Sequence, residues 1–193
     1  MARTQRRSES DIDFPVFASF GDFRGKSLTW YQPKFIHRHH ELSDGDHLLA
    51  TLKWLKVFGS LAKVESSEGN FTLKRGGFLM PYVSARDGDL DIDLAVLSMN
   101  LISGGRLVFS DGREFTFASL RFWDYEWNFK DENGSILFSI RRRSSLKRCG
   151  DVVISPQAKR DRHLLVAIVA AWYAIVMASE ESAAASVVAV GGS

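Results

Sequence analysis

The chain is poor in residues that build covalent frameworks. Its 193 residues include one cysteine, Cys149, and only four prolines. A single cysteine excludes an internal disulfide, which suits a reducing compartment such as the cytoplasm. We therefore expect a packed core to hold the fold, and a hydrophobic content of 45% with 12% aromatic residues can supply one.

The sequence also lacks the short motifs of common enzymatic chemistry. It contains no phosphate-binding loop, no G-x-S-x-G elbow and no H-E-x-x-H helix. Cys149 follows two basic residues, but nothing in the sequence singles out a base for it. We predict a non-enzymatic protein without a cofactor, and an enzyme that uses a pocket at one end of the fold stays an alternative.

The chain also lacks a large net charge and a recognisable targeting segment. The formal net charge of +2 is too small to indicate nucleic acid, and we expect no nucleic-acid partner. Residues 1–13 are polar and lack the apolar core of a secretory signal, and Ala2 replaces the glycine that myristoylation needs. We expect a cytoplasmic protein, and the sequence does not indicate its oligomeric state.

Apolar and polar residues alternate over most of the chain, which is typical of half-buried β-strands. Tight-turn pairs separate several of these segments, at Asp111-Gly112 and Asn133-Gly134. Strands that follow one another at roughly ten-residue intervals favour an antiparallel barrel or sandwich. The alternation is clearest in Leu48–Trp54, Leu90–Val96, Trp123–Phe129 and Ile136–Ile140.

The predicted organisation is a flexible arm over residues 1–13 and one domain over residues 14–190. We find neither a fixed-period repeat nor a long linker. The end of the chain, from Ser179 onward, is rich in alanine, serine and valine. It predicts a short extra strand over Val187–Val190 or a frayed tail.

The run Leu164–Ala178 contains no charge, glycine or proline. It predicts a helix over about residues 162–179 that is apolar on every side and therefore buried on every side. Fifteen residues of helix span about 22 Å, whereas a bilayer core is about 30 Å thick. We therefore predict burial inside the protein, with a membrane tail anchor as the alternative. The side chains expected in the core are Leu164, Leu165, Ile168, Ala171, Trp172 and Ile175.

The flanks of this run carry charges of the unexpected sign for a helix. Basic residues precede it and Glu180-Glu181 follow it, although cations favour the C-terminus of a helix and acids the N-terminus. This arrangement indicates that these charged residues have a role other than stabilising the helix dipole. The helix also has one side of alanines, which we expect to press on strands.

The text from Gly105 to Ala178 resembles a known superfamily. GRLVFSDGREFTF, then YEWNFKDENGSILFSIRR, then the apolar helix are similar to the tubby C-terminal-like superfamily, which includes tubby domains, phospholipid scramblases and LURP-one-related proteins. The resemblance implies a closed antiparallel barrel of about twelve strands around one central hydrophobic helix. It also implies two themes, namely phosphoinositide headgroups for tubby domains, and calcium and membranes for scramblases. The resemblance does not identify any functional residue in this chain.

Basic residues cluster around the last predicted strands and the start of the helix. Arginine side chains match phosphate oxygens, so these residues are candidates for an anionic-headgroup site, with a solvated rim as the alternative. The candidates are Arg141, Arg143, Lys147, Arg148, Lys159, Arg160 and Arg162.

Two further clusters suggest metals, each with a plainer reading. Asp87, Asp89, Asp91 and Asp93 alternate with other residues, and calcium takes oxygen ligands, but carboxylates about 7 Å apart along a strand cannot all reach one ion. A hydrated outer face is the alternative. Four histidines at positions 37, 39, 40 and 47 lack a completing cysteine or carboxylate.

The sequence as a whole predicts a binding module for anionic phospholipid headgroups, or for a partner, at the cytoplasmic face of a membrane. One alternative is a tail-anchored membrane protein with a scramblase-like role. The other is the enzyme with a pocket at one end of the barrel.

Overall fold

A computed structural model describes residues 15–22, 27–34, 36–100, 104–118, 126–143, 149–158 and 161–190. The predicted arm lies outside these residues. The described chain forms twelve strands and one long helix. The strands are β1 Leu28–Tyr31, β2 His39–Ser43, β3 Leu48–Trp54, β4 Ala62–Ser66, β5 Phe71–Gly76, β6 Tyr82–Asp87, β7 Asp93–Asn100, β8 Gly104–Phe109, β9 Glu114–Phe117, β10 Glu126–Lys130, β11 Ile136–Arg143 and β12 Cys149–Ile154, and the helix is α1 Leu164–Val190.

The twelve strands close into one antiparallel barrel. Each strand pairs with its neighbours in the chain, and β12 returns to pair with β1. Trp30 lies opposite Gly150 in this closing pair. Closure leaves no strand edge unpaired, so the barrel needs no further protection against edge-to-edge association. The predicted fold class is confirmed.

Strand alternation places the core inside the barrel. In β3, Ala50, Leu52 and Trp54 are buried while Lys53 is exposed, as the sequence predicts. Leu49 and Thr51, expected on the outer face, are buried as well, so the alternation holds only in part. In β11, Phe138 is fully buried. A strand turns successive side chains to opposite faces, so one face of each strand fills the interior.

The segment from Asp87 to Asp93 departs from the prediction. It is a turn between β6 and β7 rather than a continuous strand, and Leu90 and Ile92 are 69% and 52% exposed. The Asp87 carboxylate explains this, because its Oδ1 accepts hydrogen bonds from the backbone N–H groups of Asp89 and Leu90, each at 2.8 Å. Such side-chain bonds to the backbone nucleate turns.

The helix is longer than predicted. It has 27 residues, about 40 Å, and it continues to Val190 rather than ending near residue 179. The predicted strand over Val187–Val190 is therefore wrong. Residues 182–190 contain only serine, alanine and valine, so no glycine or proline stops the helix before Gly191.

The first half of the helix fills the barrel. Between Leu164 and Val176 every side chain is buried except Val166, which is half-buried. The alanine side and the bulky side are both enclosed, as expected of a helix that is apolar all round. By length and composition, Leu164–Ala183 could cross a membrane, and 72% of that stretch is buried inside the protein. All six predicted core residues are buried, namely Leu164, Leu165, Ile168, Ala171, Trp172 and Ile175.

Trp172 connects the helix to the closing strands. Its ring stacks on Trp30 at a centroid distance of 5.8 Å, and its Nε1 donates a hydrogen bond to Nδ1 of the buried His40 at 3.2 Å. Gly150 lies under the same ring, and a Cβ at that position would be 2.5 Å from the ring atom Cζ3. The close approach of strand and ring therefore requires glycine.

We predict that Gly150→Ala lowers the free energy of unfolding by about 1–3 kcal/mol, because the added methyl group overpacks the core against a ring that has no room to move. Thermal and urea denaturation measure this loss. Gly59→Ala is the matched control, since its new Cβ would meet its nearest neighbour at 3.5 Å, an ordinary contact. Equal stability of the two variants would contradict the packing argument.

Candidate functional site

The two ends of the barrel differ because the strands are antiparallel. Connections between successive strands alternate between the ends, and α1 begins at one end and leaves through the other. We call these the helix-start end and the helix-exit end. The described connections at the helix-start end are 44–47, 67–70, 88–92, 110–113 and 131–135, and those at the helix-exit end are 32–34, 36–38, 55–61 and 77–81.

The helix-start end is acidic. Its hairpins are short turns in which aspartate and glycine are frequent, since aspartate oxygens bind the turn backbone and glycine adopts positive φ. Asp131 illustrates this, because its Oδ1 accepts bonds from the N–H groups of Asn133 and Ser135, both at 2.9 Å. The acids of these turns are Asp44, Asp46, Glu68, Asp89, Asp91, Asp111, Asp131 and Glu132.

The aspartates proposed as metal ligands lie at this end. Asp87 organises its turn, and two backbone N–H groups, that of Leu90 foremost, hold the pKa of its carboxyl below its usual value. Arg86 pairs with Asp91 at 3.2 Å and with Asp93 at 3.0 Å. Among the residues the structure describes, no group of three or more histidine, cysteine, aspartate or glutamate side chains is placed to hold a metal ion.

The histidines do not converge either. His40 is buried beside Trp172, whereas His37 is exposed and His47 lies at the helix-start end beside Asp44. His39 points to the other face of β2 from His40, and burial lowers its pKa. These histidines therefore do not form a group that could hold a metal ion among the described residues.

The start of α1 is held by a charged cluster. Asp161 Oδ1 accepts the backbone N–H of His163 at 2.9 Å, which caps the first turn of the helix. The two ring nitrogens of His163 lie 2.9 Å from Asp161 and 2.9 Å from Asp111. Arg162 lies 2.5 Å from Asp111 and is the main reason why the pKa of that carboxyl falls to about 2. This cluster links the β8–β9 hairpin to the helix.

Apolar side chains are exposed at the helix-exit end. Phe58 and Phe78 are 94% and 97% exposed, at the tips of the connections 55–61 and 77–81. Exposed apolar side chains are concentrated on three connections of this end, and large exposed apolar patches mark interaction sites in soluble proteins. The other strongly exposed members are Ile36, Leu55, Val57, Leu79 and Met80.

Three arginines surround the helix where it leaves the barrel, and we call Arg38, Arg75 and Arg142 the arginine collar. Arg38 binds Glu180 through two nitrogens, at 2.6 and 3.2 Å. Arg75 pairs with Glu181, and Arg142 donates to Ser179 Oγ at 2.9 Å. The collar accounts for the acids after the apolar run. They lie within the helix, nine or ten residues before its end, where the dipole has little effect.

The structure divides the basic residues proposed from the sequence. Arg141 and Arg143 lie near the helix-exit end of β11, where they pair with Glu126 and Asp151. Arg162 lies at the opposite end. Lys147, Arg148, Lys159 and Arg160 are outside the described residues.

Four lysines that sequence reasoning missed lie towards the helix-exit end. Lys34 and Lys56 are in connections, while Lys53 and Lys74 are in the exit-end halves of β3 and β5. All four are exposed, and none forms an ion pair within the described part of the chain. Counting connections alternately from end to end would have grouped these lysines with the apolar tips.

No family of known proteins, no curated protein and no solved structure matches this chain. The closed twelve-strand barrel around a buried C-terminal helix is consistent with the tubby-like fold that the resemblance implies.

The pKa of Asp111 generates a prediction about acid stability. Its folded value of about 2 is lower than the ordinary 3.8, so its contribution is complete above pH 4 and is lost as the pH falls towards 2. The thermal stability of the parent protein should therefore fall between pH 4 and pH 2. We expect this fall to be smaller in Asp111→Asn. Asp46→Asn, at the same end, is the control and should keep the parental pH dependence; parallel curves for all three proteins would contradict the role of Asp111.

Proposed function

We propose that this protein is a non-enzymatic module that binds anionic membrane surfaces through its helix-exit end. One observation carries the proposal, namely that the apolar tips share one end of the barrel with four exposed lysines that form no ion pair with any described residue. The acidic turns crowd the other end. No catalytic activity forms part of the proposal.

The apolar tips can supply the affinity. Transferring a large apolar side chain from water to hydrocarbon contributes about 1.5–3 kcal/mol. Phe58 and Phe78 head two separate connections, so both can enter the same membrane surface. Each lysine near an anionic surface adds about 1 kcal/mol, so Lys34 and Lys56 strengthen the contact.

The end of α1 lies beyond the barrel at the same end. After Glu181 the chain has no charged residue, and the helix continues to Val190 beyond the arginine collar. The nine residues 182–190 add about 13 Å of helix. An uncharged helical extension at the helix-exit end is compatible with contact with lipid.

The separation of charge orients the barrel. The acidic turns are repelled by an anionic surface, while the lysines are attracted to it. Screening limits these forces to about 8 Å at physiological salt, so they act once the barrel is near the surface. The orientation that satisfies both places the helix-exit end on the membrane.

Phosphoinositide binding by tubby domains, to which the sequence is similar, supports the proposed binding of anionic membranes. We place the chain in the tubby-like superfamily as part of the proposal, with the cytoplasmic leaflet, which carries anionic lipid, as the target. Arg141 and Arg143 lie towards the same end as the lysines. Their pairing with Glu126 and Asp151 makes them secondary contributors.

Vesicle sedimentation tests the proposal. We expect binding to phosphatidylserine-containing vesicles and little binding to phosphatidylcholine vesicles at low salt. The double variant Phe58→Asp, Phe78→Asp should weaken binding at least about tenfold, which corresponds to 1.4 kcal/mol. Leu90→Asp, the same kind of substitution at one exposed apolar side chain of the helix-start end, should bind as the parent does.

Two results would overturn the proposal. One is equal, negligible binding of the parent protein to both vesicle types at low salt. The other is equal weakening by the double variant and by Leu90→Asp, because the effect would then be independent of the end of the barrel.

The tail anchor is the second candidate, and the observation in its favour is that Leu164–Ala183 is long and apolar enough to cross a membrane. It requires the helix to leave the barrel. Deletion of residues 160–193 separates the two functions. We expect the deletion to abolish cooperative thermal unfolding, since the inner faces of twelve strands would lose their packing partner. A folded, soluble, truncated barrel would instead support the anchor.

A further inference from the structure

The outer wall of the barrel carries a groove below the connection 77–81. It has a volume of about 1210 Å³ and is lined by side chains from five consecutive strands, β6 to β10, together with that connection. Across these strands, Tyr82, Ser98, Arg106, Thr116 and Lys130 are neighbours in one continuous row. The row faces outward because the side chains that alternate with it fill the core.

The groove changes character along the barrel axis. At its lip, by the helix-exit end, lie the exposed apolar side chains of Leu79 and Met80. Arg106 lies two residues inside β8, about 7 Å further along the wall. Apolar surface at the lip is therefore followed by positive charge on the wall.

The two cations of the groove are available to a ligand. Lys130 forms no ion pair or side-chain hydrogen bond among the described residues. Arg106 is 64% exposed and lies 3.8 Å from Glu114, the acid of the groove, which is a loose pair. Two cations against one carboxylate leave a net positive charge on this wall.

We infer that this groove binds one anionic phospholipid molecule, with its headgroup phosphate at Arg106 and Lys130 and an acyl chain along Leu79 and Met80. The inference deepens the proposed function and rests on it for the source of the lipid. Compact ligands occupy pockets of roughly 300–1,000 Å³. A larger, open groove that is apolar at one end and cationic along its wall fits a long amphiphile better than a small metabolite.

The orientation of the groove matches that of a lipid in a membrane. When the helix-exit end touches the surface, Leu79 and Met80 lie at the depth of the acyl chains. Arg106 then lies further from the hydrocarbon, near the level of the phosphates, and Lys130, the last residue of β10, lies further still. A lipid beside the barrel can therefore occupy the groove without being turned over or fully extracted.

A soluble short-chain lipid separates this site from general membrane contact. We would titrate the full chain, without vesicles, with dihexanoyl phosphatidylserine below its critical micelle concentration and follow the amide shifts of β6 to β10 by NMR. Dihexanoyl phosphatidylcholine and inorganic phosphate serve as the comparison probes. We expect saturable shifts in these strands with the anionic lipid, and weaker binding of both comparison probes.

Two variants test the geometry. Lys130→Glu should weaken binding of the anionic lipid about tenfold, since it replaces a charge-assisted contact by repulsion. Val96→Trp should also weaken it by filling the floor of the groove. Lys63→Glu reverses a lysine charge outside the groove, at a residue that has no part in the proposed membrane contact, and should leave this binding unchanged. Thermal unfolding confirms that each variant is folded.

The outcomes distinguish the two proposals. Absence of saturable binding, or equal affinity of the parent and Lys130→Glu, would overturn the groove even if vesicle binding persists. Vesicle binding that survives Val96→Trp leaves the proposed function intact. If the protein binds the soluble lipid saturably but does not bind vesicles, the result would support lipid binding in the groove and refute docking on the membrane. Equal binding of inorganic phosphate would also overturn the groove, because it would indicate an anion site without a chain site.

Discussion

The burial of α1 inside the barrel is the interaction on which the rest of the structure depends. Twelve strands that close on themselves present one face of each strand to an interior that must be filled at protein density. The helix fills it with side chains from Leu164 to Val176. Trp172, stacked on Trp30 and pressed over Gly150, ties the helix to the strands that close the ring. Without this packing, the inner faces of the strands would have no core, and the closed barrel would not be stable.

The same burial makes the two ends of the barrel unequal. A helix of about 40 Å is longer than the part that the strands enclose, so it emerges at one end only. The arginine collar neutralises Glu180 and Glu181 at that exit. Antiparallel alternation then collects the longer apolar connections at the exit and the tight aspartate turns at the start. The surface proposed to meet the membrane therefore follows from strand order and helix direction together.

Much of the fold could be predicted because local patterns report burial directly. The alternation in β3, around Ala50, Leu52 and Trp54, predicts its inward face, and the Asn133-Gly134 pair predicts a hairpin. The prediction was wrong where local hydrogen bonds compete with alternation, as at Asp87, whose carboxylate organises a turn. It was also wrong at the end of the chain, where a valine-rich segment has β propensity but continues a helix that is already nucleated.

The sequence alone determined that this protein is mainly β with one apolar helix, because periodicity and turn residues act over a few positions. Only the tertiary structure decided which charged and apolar residues share a surface. Arg162 and Arg143 are near in sequence yet lie at opposite ends of the barrel, whereas Phe58 and Phe78 come from separate connections and lie at one end. The physical reason is that strand direction and barrel closure decide at which end of the barrel a residue lies. The distance between two residues along the chain does not reveal this.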